Sequence, residues 1–373
     1  MGSSRLSQQQ ADKLAQLYRK LQEKSDSFIG YPCNLDFDYA ELDKFFRFAI
    51  NNVGDPFVSS NYQVNTHEIE REVLSFFAQL TKTDDEYWGY VTNGGTEGNM
   101  YGLYLARELY PNAMVYYSQD THYSVTKILR LLNIRNIMIR SLDNGEIDCH
   151  DLEETIRIKR DAVPIVVANI GTTMKGAIDN VEKIHAIFEE FAIRDHYIHC
   201  DAALSGMLLP FLEESPSIGL SSAIDSLAIS GHKFIGSPIP CGVALAKRKN
   251  VDRIARSIEY VGTLDTTLSG SRNGITPLFL WYAIQVKGIQ GFRQMAEGCL
   301  ERADYALEQF RQLEWDAWKN RYSNTVVFKR PSEKFIKKWQ LAAYKDIAHI
   351  IIMPHITKEF IDNFMRDLRE CGT

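Results

Sequence analysis

Three groups of residues in this chain could together perform the chemistry of an aldehyde cofactor. Lys233, in the stretch 230–236 (SGHKFIG), carries a primary amine that can form an imine with an aldehyde carbon. Asp201 ends an apolar run that indicates a β-strand, and a carboxylate there could keep a pyridine nitrogen protonated. Residues 92–99 (TNGGTEGN) indicate a glycine-rich turn that opens a helix, where backbone N–H groups can hold a phosphate. Together the three groups predict pyridoxal phosphate (PLP) chemistry.

Each of these groups also has a plainer interpretation. The glycines match neither the Walker A loop nor the dinucleotide fingerprint, and they can simply form a tight turn from a strand to a helix. Asp201 can cap the element that follows it. A surface lysine is a poorer explanation of Lys233, because Lys233 lies between an apolar strand and the Gly- and Pro-rich turn at 236–242. Partial burial there would lower the pKa of its amine and make the amine a better nucleophile.

Three further residues could take part in the same chemistry. His122 begins a predicted helix after a strand, where a flat imidazole could stack on a cofactor ring. Thr173 follows the most apolar strand and offers a hydroxyl donor. Tyr260 lies in a stretch rich in Thr, Gly and Asp at 258–270, which indicates a loop from which a tyrosine could deliver a proton. Structural explanations for these residues, namely a helix start, a turn and an aromatic packed under a loop, remain open.

The composition argues against several other classes of function. The chain has 373 residues, is 45% hydrophobic and carries a net charge of -6, without the basic stripe expected of a nucleic-acid-binding surface. No apolar run reaches the roughly 18 residues of a membrane-spanning helix. The six cysteines are scattered without a C-x-x-C pair, which predicts free thiols in a reducing cytoplasm rather than disulfides or a zinc site. We therefore expect a cytoplasmic enzyme with a small-molecule substrate and no metal, nucleic-acid or membrane partner.

From about residue 66, segments with helical periodicity alternate with short apolar runs that lack polar alternation. This pattern predicts an α/β fold with a mostly parallel seven-stranded sheet covered by helices on both faces. Ligands of such sheets bind where strands end and turns begin, and residues 92–96, Asp201 and Lys233 are all expected at such places. The predicted strands of this sheet are 89–92, 114–118, 137–140, 164–168, 197–200, 226–230 and 242–246.

The sequence predicts three parts of the chain. Residues 1–55 form a helical N-terminal segment, residues 56–287 a large PLP-binding domain, and residues 288–373 a small C-terminal α+β domain. Helices are expected over 7–24, 39–51 and 288–313, and a strand is expected over 348–353. The first of these helices has an apolar face that the N-terminal segment cannot bury by itself. We therefore expect that face to pack on a neighbour, such as a second subunit. The residues of the face are Leu14, Leu17, Tyr18 and Leu21.

Several long strings of residues resemble the group II PLP-dependent amino-acid decarboxylases, which have the fold type I (PLP-dependent transferase-like) architecture. The resemblance extends from about residue 31 to the C-terminus and is strongest to the bacterial PLP-dependent histidine decarboxylases. Strings of this length are far more specific than any single motif. They are 30–32 (GYP), 36–39 (DFDY), 89–99 (GYVTNGGTEGN), 120–124 (DTHYS), 203–206 (ALSG), 230–233 (SGHK) and 270–274 (GSRNG).

The resemblance implies catalytic roles for four residues. Lys233 would hold the cofactor aldehyde covalently, and Asp201 would pair with the protonated ring nitrogen. His122 would stack on the exposed face of the ring, and Tyr260 lies where the family keeps a mobile loop with a proton-donating tyrosine. The other residues expected to contact the cofactor are Gly95, Thr96, Ser230 and His232 at the phosphate, Thr173 near the ring hydroxyl and Ala203 against the ring.

The resemblance also implies an activity and an assembly. The expected reaction is decarboxylation of L-histidine to histamine and carbon dioxide, in homodimers with active sites at the interface. Residues 269–272 are candidates to reach the partner's site. No single residue demands an imidazole-bearing substrate, so decarboxylation of serine or of an aromatic amino acid stays open. A different PLP reaction, such as transamination or retro-aldol cleavage, and PLP binding without catalysis stay open as well.

Overall fold

The computed structural model describes residues 6–59, 61–83, 86–220, 223–258 and 263–371. Within these residues seven strands form one large sheet, as the sequence predicts. The strands are β1 (Tyr87–Thr92), β2 (Met114–Ser118), β3 (Asn136–Ile139), β4 (Pro164–Asn169), β5 (Tyr197–Asp201), β6 (Ser226–Ser230) and β7 (Gly242–Lys247).

The large sheet is mostly parallel, which confirms the predicted fold class. Its strands lie side by side in the order β1-β7-β6-β5-β4-β2-β3. Strands β2 to β6 are parallel to their neighbours, except that β6 also borders β7, which is antiparallel to both β6 and β1. Asn169 at the end of β4 pairs with Asp201 at the end of β5, and Asp201 pairs with Ala228 on β6. The carboxyl ends of the central strands therefore share one edge of the sheet.

Helices cover both faces of this sheet. The helices of the described residues are α1 (Gln8–Ser25), α2 (His67–Leu80), α3 (Gly95–Leu109), α4 (Tyr123–Leu131), α5 (Cys149–Ile158), α6 (Val181–Glu190), α7 (Arg248–Asp252), α8 (Thr276–Gln312), α9 (Glu333–Trp339) and α10 (Lys358–Cys371). Along β4, Ile165 and Val167 belong to one buried apolar cluster, whereas Val166 and Ala168 belong to another. Helices α3 and α4 pack in the first cluster and α2, α6 and α8 in the second, so each face has its own core.

Helix α3 packs very close to the sheet because two of its residues are glycines at the contact. A Cβ atom at Gly98 would lie 2.7 Å from the Cβ atom of Ala228. A Cβ atom at Gly102 would lie 2.2 Å from Nδ1 of His199. Since any larger residue would push the helix away, the glycines hold the start of α3 at Gly95 against the carboxyl-terminal edge of the sheet.

The chain after the large domain forms a small α+β domain, as predicted. The remaining strands are β8 (Arg256–Ile258), β9 (Thr263–Asp265), β10 (Ala317–Trp318), β11 (Thr325–Lys329), β12 (Ala342–Tyr344) and β13 (Ile347–Ile351). Strands β8 and β9 pair only with each other in the described part of the chain. The small domain contains the antiparallel sheet β10-β11-β13-β12, together with α9 and α10.

Two predicted helices differ from the observed ones. The helix predicted over 288–313 is the second part of α8. Gly288, with a φ of +59°, breaks α8, and a helical part that was not predicted precedes it from Thr276. Such a backbone angle favours glycine, which explains why the residue looked like a helix boundary. The helix predicted over 39–51 is a 3-10 helix at Ala40–Arg47. The predicted domain boundary at 287/288 coincides with the break in α8 and stays a prediction.

Helix α1 has no buried residue, although its N-terminus is well formed by a capping box between Ser7 and Gln10. On its apolar face Leu17 is 50% exposed and Tyr18 is 64% exposed, with the other members of the face between these values. The contacts within this subunit therefore leave the face uncovered. Among the described residues, no helix combines the length and the apolar character that a membrane crossing requires.

Candidate active site

A cavity of about 370 Å³ lies where the parallel strands of the large sheet end. It brings together every residue predicted to contact the cofactor. Tyr260, the predicted proton donor, lies outside the described residues. We refer to the predicted contact residues as the sheet-edge side of the cavity: Gly95, Thr96, His122, Thr173, Asp201, Ala203, Ser230, His232 and Lys233.

The glycine-rich turn forms a cradle at the start of α3, close to Ala203 and Ser230. Gly94 precedes α3 with a φ of +127°, which requires glycine. A Cβ atom at Gly95 would lie 2.8 Å from the Cβ atom of Ala203 and 3.0 Å from Oγ of Ser230. The Ser230 hydroxyl is buried and has no hydrogen-bond partner within the described part of the chain. An oxyanion would satisfy this hydroxyl and the partial positive charge at the start of α3, so the cradle fits a phosphate.

Lys233 lies in a single π-helical turn, His232–Gly236, directly after β6. The sequence predicts a turn there but not its type, and π-helical turns are frequent at functional sites. Asn34 fixes this turn from the N-terminal segment. Its backbone N–H donates to the carbonyl of Lys233 at 2.9 Å, and its Nδ2 donates to the carbonyls of Phe234 and Ile235, each at 3.2 Å.

Three ionisable side chains influence one another in the cavity. Removal from water lowers the pKa of the Lys233 amine and of the His122 imidazole, and the carboxylate of Asp201 opposes both shifts because it stabilises the cations. His122 caps α4, with its Nδ1 at 2.7 Å from Oγ of Ser124. Lys233 is consequently a better nucleophile than a solvated lysine, and His122 favours the neutral ring.

Asp201 is 7% exposed and occupies the last position of β5. Its Oδ2 accepts a hydrogen bond from Nδ2 of Asn99 at 2.7 Å, and its Oδ1 accepts one from the backbone N–H of Ala203 at 3.2 Å. A carboxylate has about four acceptor sites, so capacity remains for a protonated ring nitrogen. Asn99 was not predicted as a site residue, although it follows Gly95 by one helical turn and so lies on the same face of α3.

Asn169, the last residue of β4, ties two loops of the cavity together. Its Nδ2 donates to Oδ2 of Asp179 at 2.7 Å and to Oγ of Ser118 at 3.2 Å. The turn that carries Thr173 is thereby connected to the end of β2. Thr173 lies in the lining of the cavity.

The remaining lining includes residues from the N-terminal segment and the small domain. His349, on β13, lies with its Nδ1 at 3.0 Å from the carbonyl of Met174 and its Nε2 at 3.1 Å from the carbonyl of Gly30. Burial lowers the pKa of this imidazole, and the two carbonyls oppose the shift. The sequence predicts the strand but gives no sign that His349 reaches the cavity, because its partners are distant in sequence. We refer to these residues as the composite wall: Gly30, Tyr31, Pro32, Ala342, His349 and Ile351.

The stretch 269–272, expected to reach the partner's site, requires a correction at Arg272. The guanidinium of Arg272 is buried, and its Nη1 lies 2.5 Å from Oε1 of Glu70 in the same subunit. Its Nη2 also donates to the carbonyl of Gly54 at 3.0 Å. Because these contacts turn Arg272 into its own subunit, only residues 269–271 remain candidates for a role in the partner's site.

Taken together, these contacts fit PLP. The cradle at Gly95 and Ser230 can bind the phosphate, the amine of Lys233 can hold the aldehyde, and Asp201 can pair with the ring nitrogen. Among the residues that the structure describes, no group of three or more His, Cys, Asp and Glu side chains gathers as a metal site.

Comparison with known proteins places the chain in a family. The model of the pyridoxal-dependent decarboxylase conserved domain matches residues 65–329. The matched region contains every residue of the sheet-edge side. The chain covers most of the length of the relatives described next, so the likeness is not confined to that domain.

Two curated relatives are bacterial histidine decarboxylases. That of Acinetobacter baumannii (strain ACICU) is 51% identical over 330 residues, which are 88% of this chain and 86% of the relative. That of Vibrio anguillarum (strain ATCC 68554 / 775) is 47% identical over 355 residues, which are 94% of this chain and 92% of the relative. Serine decarboxylase 1 of Oryza sativa subsp. japonica is 42% identical over 363 residues, with 96% of this chain and 75% of the relative covered.

A solved structure gives the same result for the fold. L-methionine decarboxylase from Streptomyces sp.590 superimposes with a TM-score of 0.90 at 25% sequence identity, and the match covers 100% of this chain and 96% of that one. The predicted fold type, family and cofactor are therefore confirmed. The chain belongs to the pyridoxal-dependent decarboxylases.

Proposed function

We propose that this decarboxylase acts on L-histidine and releases histamine and carbon dioxide. The two histidine decarboxylases that share close to half of their residues with it, over most of both chains, support this substrate. The structural observation that carries the proposal is the meeting of Lys233, Asp201 and the glycine turn at 94–96 around one cavity.

We propose that the sheet-edge side holds PLP at both ends and on both faces. When bound, PLP supplies an electron sink for the electron pair left by the broken bond between Cα and the carboxylate. Lys233 would hold the cofactor aldehyde, Asp201 the ring nitrogen, and Thr173 would lie near the ring hydroxyl. His122 and Ala203 would enclose the ring. The residues proposed to bind the phosphate are Gly95, Thr96, Ser230 and His232.

In the proposed mechanism the protein contributes orientation and proton transfer. Asp201 keeps the proton on the ring nitrogen, and the enclosing side chains fix the plane of the ring, so the carboxylate to be lost can be held perpendicular to it. The amine of Lys233, once the substrate amine has replaced it, can accept and release a proton at Nζ, because burial lowers its pKa below that of a solvated lysine. We propose Tyr260 as the group that returns a proton to Cα.

The substrate is tested by product analysis. Purified protein saturated with PLP is incubated with L-histidine, L-serine and aromatic L-amino acids, and the amines released are identified by mass spectrometry. Histamine as the main product supports the proposal. Ethanolamine as the main product would instead assign serine, a substrate that the serine decarboxylase relative supports. A visible cofactor band that no amino acid perturbs would indicate a PLP-binding protein without catalysis.

We propose a homodimer in the cytoplasm, with α1 at the interface. The uncovered apolar face of α1 supports the dimer, and the free cysteines at 33, 149, 200, 241 and 299 agree with a reducing compartment. The proposed division of each subunit remains 1–55, 56–287 and 288–373. Burial of a helix face against a second copy is the usual way to cover such a surface.

The assembly is tested by charge substitution on opposite faces of α1. The double variant Leu14→Lys, Leu21→Lys should sediment as a monomer, because both lysines would be buried in the interface. The double variant Gln9→Lys, Gln16→Lys has the same spacing and the same added charge on the opposite face, and it should remain a dimer. If both variants remain dimers, α1 does not form the interface.

A further inference from the structure

A line of buried hydrogen bonds extends from Asp201 into the core. Nδ2 of Asn99 donates to Oδ2 of Asp201 at 2.7 Å, and Oδ1 of the same amide lies 3.0 Å from Nε2 of His199. Nδ1 of His199 lies 2.8 Å from Oγ of Ser226. Asn99, His199 and Ser226 are each at most 1% exposed, so water does not compete for these bonds.

The charge on Asp201 sets the direction of every bond in this line. A carboxylate only accepts, so the amide of Asn99 must turn its NH₂ group towards Asp201 and its oxygen towards His199. That oxygen needs a donor, so the neutral ring of His199 must carry its proton on Nε2. Nδ1 is then an acceptor, and the hydroxyl of Ser226 must donate to it. Burial keeps the ring neutral, because it lowers the pKa of His199 to about 4 against the opposing effect of Asp201.

The packing of α3 leaves His199 little freedom to leave this line. A Cβ atom at Gly102 would lie 2.2 Å from Nδ1 of His199 and 2.8 Å from Oγ of Ser226. Gly102 is therefore the place where the helix accommodates the imidazole. The same helix carries the phosphate cradle at Gly95, so one rigid element determines both the cradle and the orientation of the Asp201 carboxylate.

We propose that Asn99 and His199 are positioning residues that act through Asp201, keeping its carboxylate ionised so that the shared proton stays on the ring nitrogen of PLP. This inference rests on the proposed binding of PLP at Asp201. Each donor in the line stabilises the negative charge at its end. Without the Asn99 donor, the buried carboxylate binds a proton more strongly and the ring nitrogen gives up its own. A ring without that proton accepts electrons less well, so the loss should appear in the chemical step.

The order of donors and acceptors in this line of hydrogen bonds can be measured without cofactor or substrate. In protein labelled with nitrogen-15 histidine, the two ring nitrogens of His199 give different chemical shifts for the Nε2–H and Nδ1–H tautomers. The His199→Gln variant identifies the signals by their loss. We expect the Nε2–H tautomer, with or without PLP. The Nδ1–H tautomer would reverse the order of donors and overturn the proposal, whatever the activity of the protein.

The effect on the cofactor is measured with PLP labelled with nitrogen-15 at the ring nitrogen. The Asn99→Leu variant should move the ring-nitrogen signal towards its unprotonated value and reduce kcat by about tenfold, with KM unchanged. Asn250→Leu is the matched control, because Nδ2 of Asn250 donates to a different aspartate, Asp225, at 3.4 Å. Asp225 precedes β6 and lies at the opposite edge of the same sheet. The control should change neither quantity.

Substitutions at His199 separate positioning from simple packing. In His199→Gln the side-chain amide can still donate to Asn99, so the ring-nitrogen signal and kcat should stay close to those of the unaltered protein. In His199→Leu the donor is lost and both should change as in Asn99→Leu. Equal behaviour of Asn99→Leu and the unaltered protein in the nitrogen-15 signal would overturn the proposal. If the unaltered protein releases no amine, the proposed function fails, while the tautomer and the ring-nitrogen signal still decide this inference.

Discussion

The two surfaces that line the cavity are built in opposite ways. The sheet-edge side takes all of its residues from positions 95–233, at the ends of neighbouring strands and the starts of helices. The composite wall joins the N-terminal segment at 30–32 to the small domain at 342–351. Parallel strands bring their ends to one edge of the sheet by construction, whereas no local rule brings residue 30 to residue 349. We therefore expect the cofactor chemistry to depend on the locally determined part of the fold, and the substrate to contact a surface assembled over long range.

The largest effect should come from removing the amine of the sheet-edge side. Lys233→Ala removes the group that we propose holds the cofactor aldehyde, so turnover should fall by at least about 1000-fold. Borohydride reduction followed by peptide mapping should label Lys233 in the unaltered protein and leave the variant unlabelled. Lys249→Ala, which truncates an exposed lysine, serves as the control and should keep full turnover. Normal turnover of Lys233→Ala would remove the sheet-edge side from the chemistry.

A smaller loss of turnover is expected when the negative charge of Asp201 is removed. Asp201→Asn keeps the shape of the side chain but removes the negative charge that we propose holds the proton on the ring nitrogen. We expect kcat to fall by about 100-fold, while PLP still binds, because electrostatic stabilisation of a developing charge has this magnitude. Stopped-flow measurement of the single-turnover rate checks that the loss lies in the chemical step. An unchanged kcat would show that Asp201 has only a structural role.

The sequence allowed the sheet-edge side to be predicted residue by residue. Strand ends are recognisable from apolar runs such as 164–168, and glycine, lysine and aspartate at those ends carry a chemical meaning. The family resemblance then supplied roles for the neighbours. The seven strands were found for the same reason, since runs buried on both faces contain few polar residues.

The composite wall and the line of hydrogen bonds from Asp201 through Asn99 to His199 could not be predicted in this way. His349 lies in an apolar strand and contacts backbone carbonyls, which have no sequence signature. His199 lies within a strand and looks like a core histidine, and its importance depends on the side chain of Asn99 across the helix–sheet contact. The break at Gly288 was predicted as a helix start, whereas the helical part of α8 before it, from Thr276, was not predicted.

Acidification should destabilise the folded protein through His199, the buried histidine beneath the sheet-edge side. The folded protein holds His199 neutral with a pKa of about 4, below its ordinary value near 6.5. Below about pH 6.5 the unfolded chain therefore binds more protons than the folded protein. The contribution of neutral His199 to the free energy of unfolding is present above about pH 6.5 and decreases as the pH falls towards 4. At pH 5 the free energy of unfolding has decreased by about 2 kcal/mol through this residue.

This loss is measured as the pH dependence of the urea midpoint of unfolding. His199→Gln should have a flatter dependence than the unaltered protein, whatever its midpoint at neutral pH. His150→Gln, which changes an exposed histidine, should keep the original dependence. Parallel curves for all three proteins would show that His199 is not held neutral in the core.

The smallest effect should come from the composite wall, and it should appear in a different kinetic constant. His349→Leu removes the ring that joins the carbonyls of Gly30 and Met174, so the segment carrying Tyr31 loses a support on its side of the cavity. We expect KM for the amino acid to rise by about tenfold, as for the loss of one or two hydrogen bonds, with the dissociation constant of PLP unchanged. Spectroscopic titration with PLP and initial-rate kinetics separate the two constants, with His150→Leu as the control. A variant that loses PLP affinity and keeps its KM would mean that the composite wall supports the cofactor, and the contrast between the two surfaces would then be wrong.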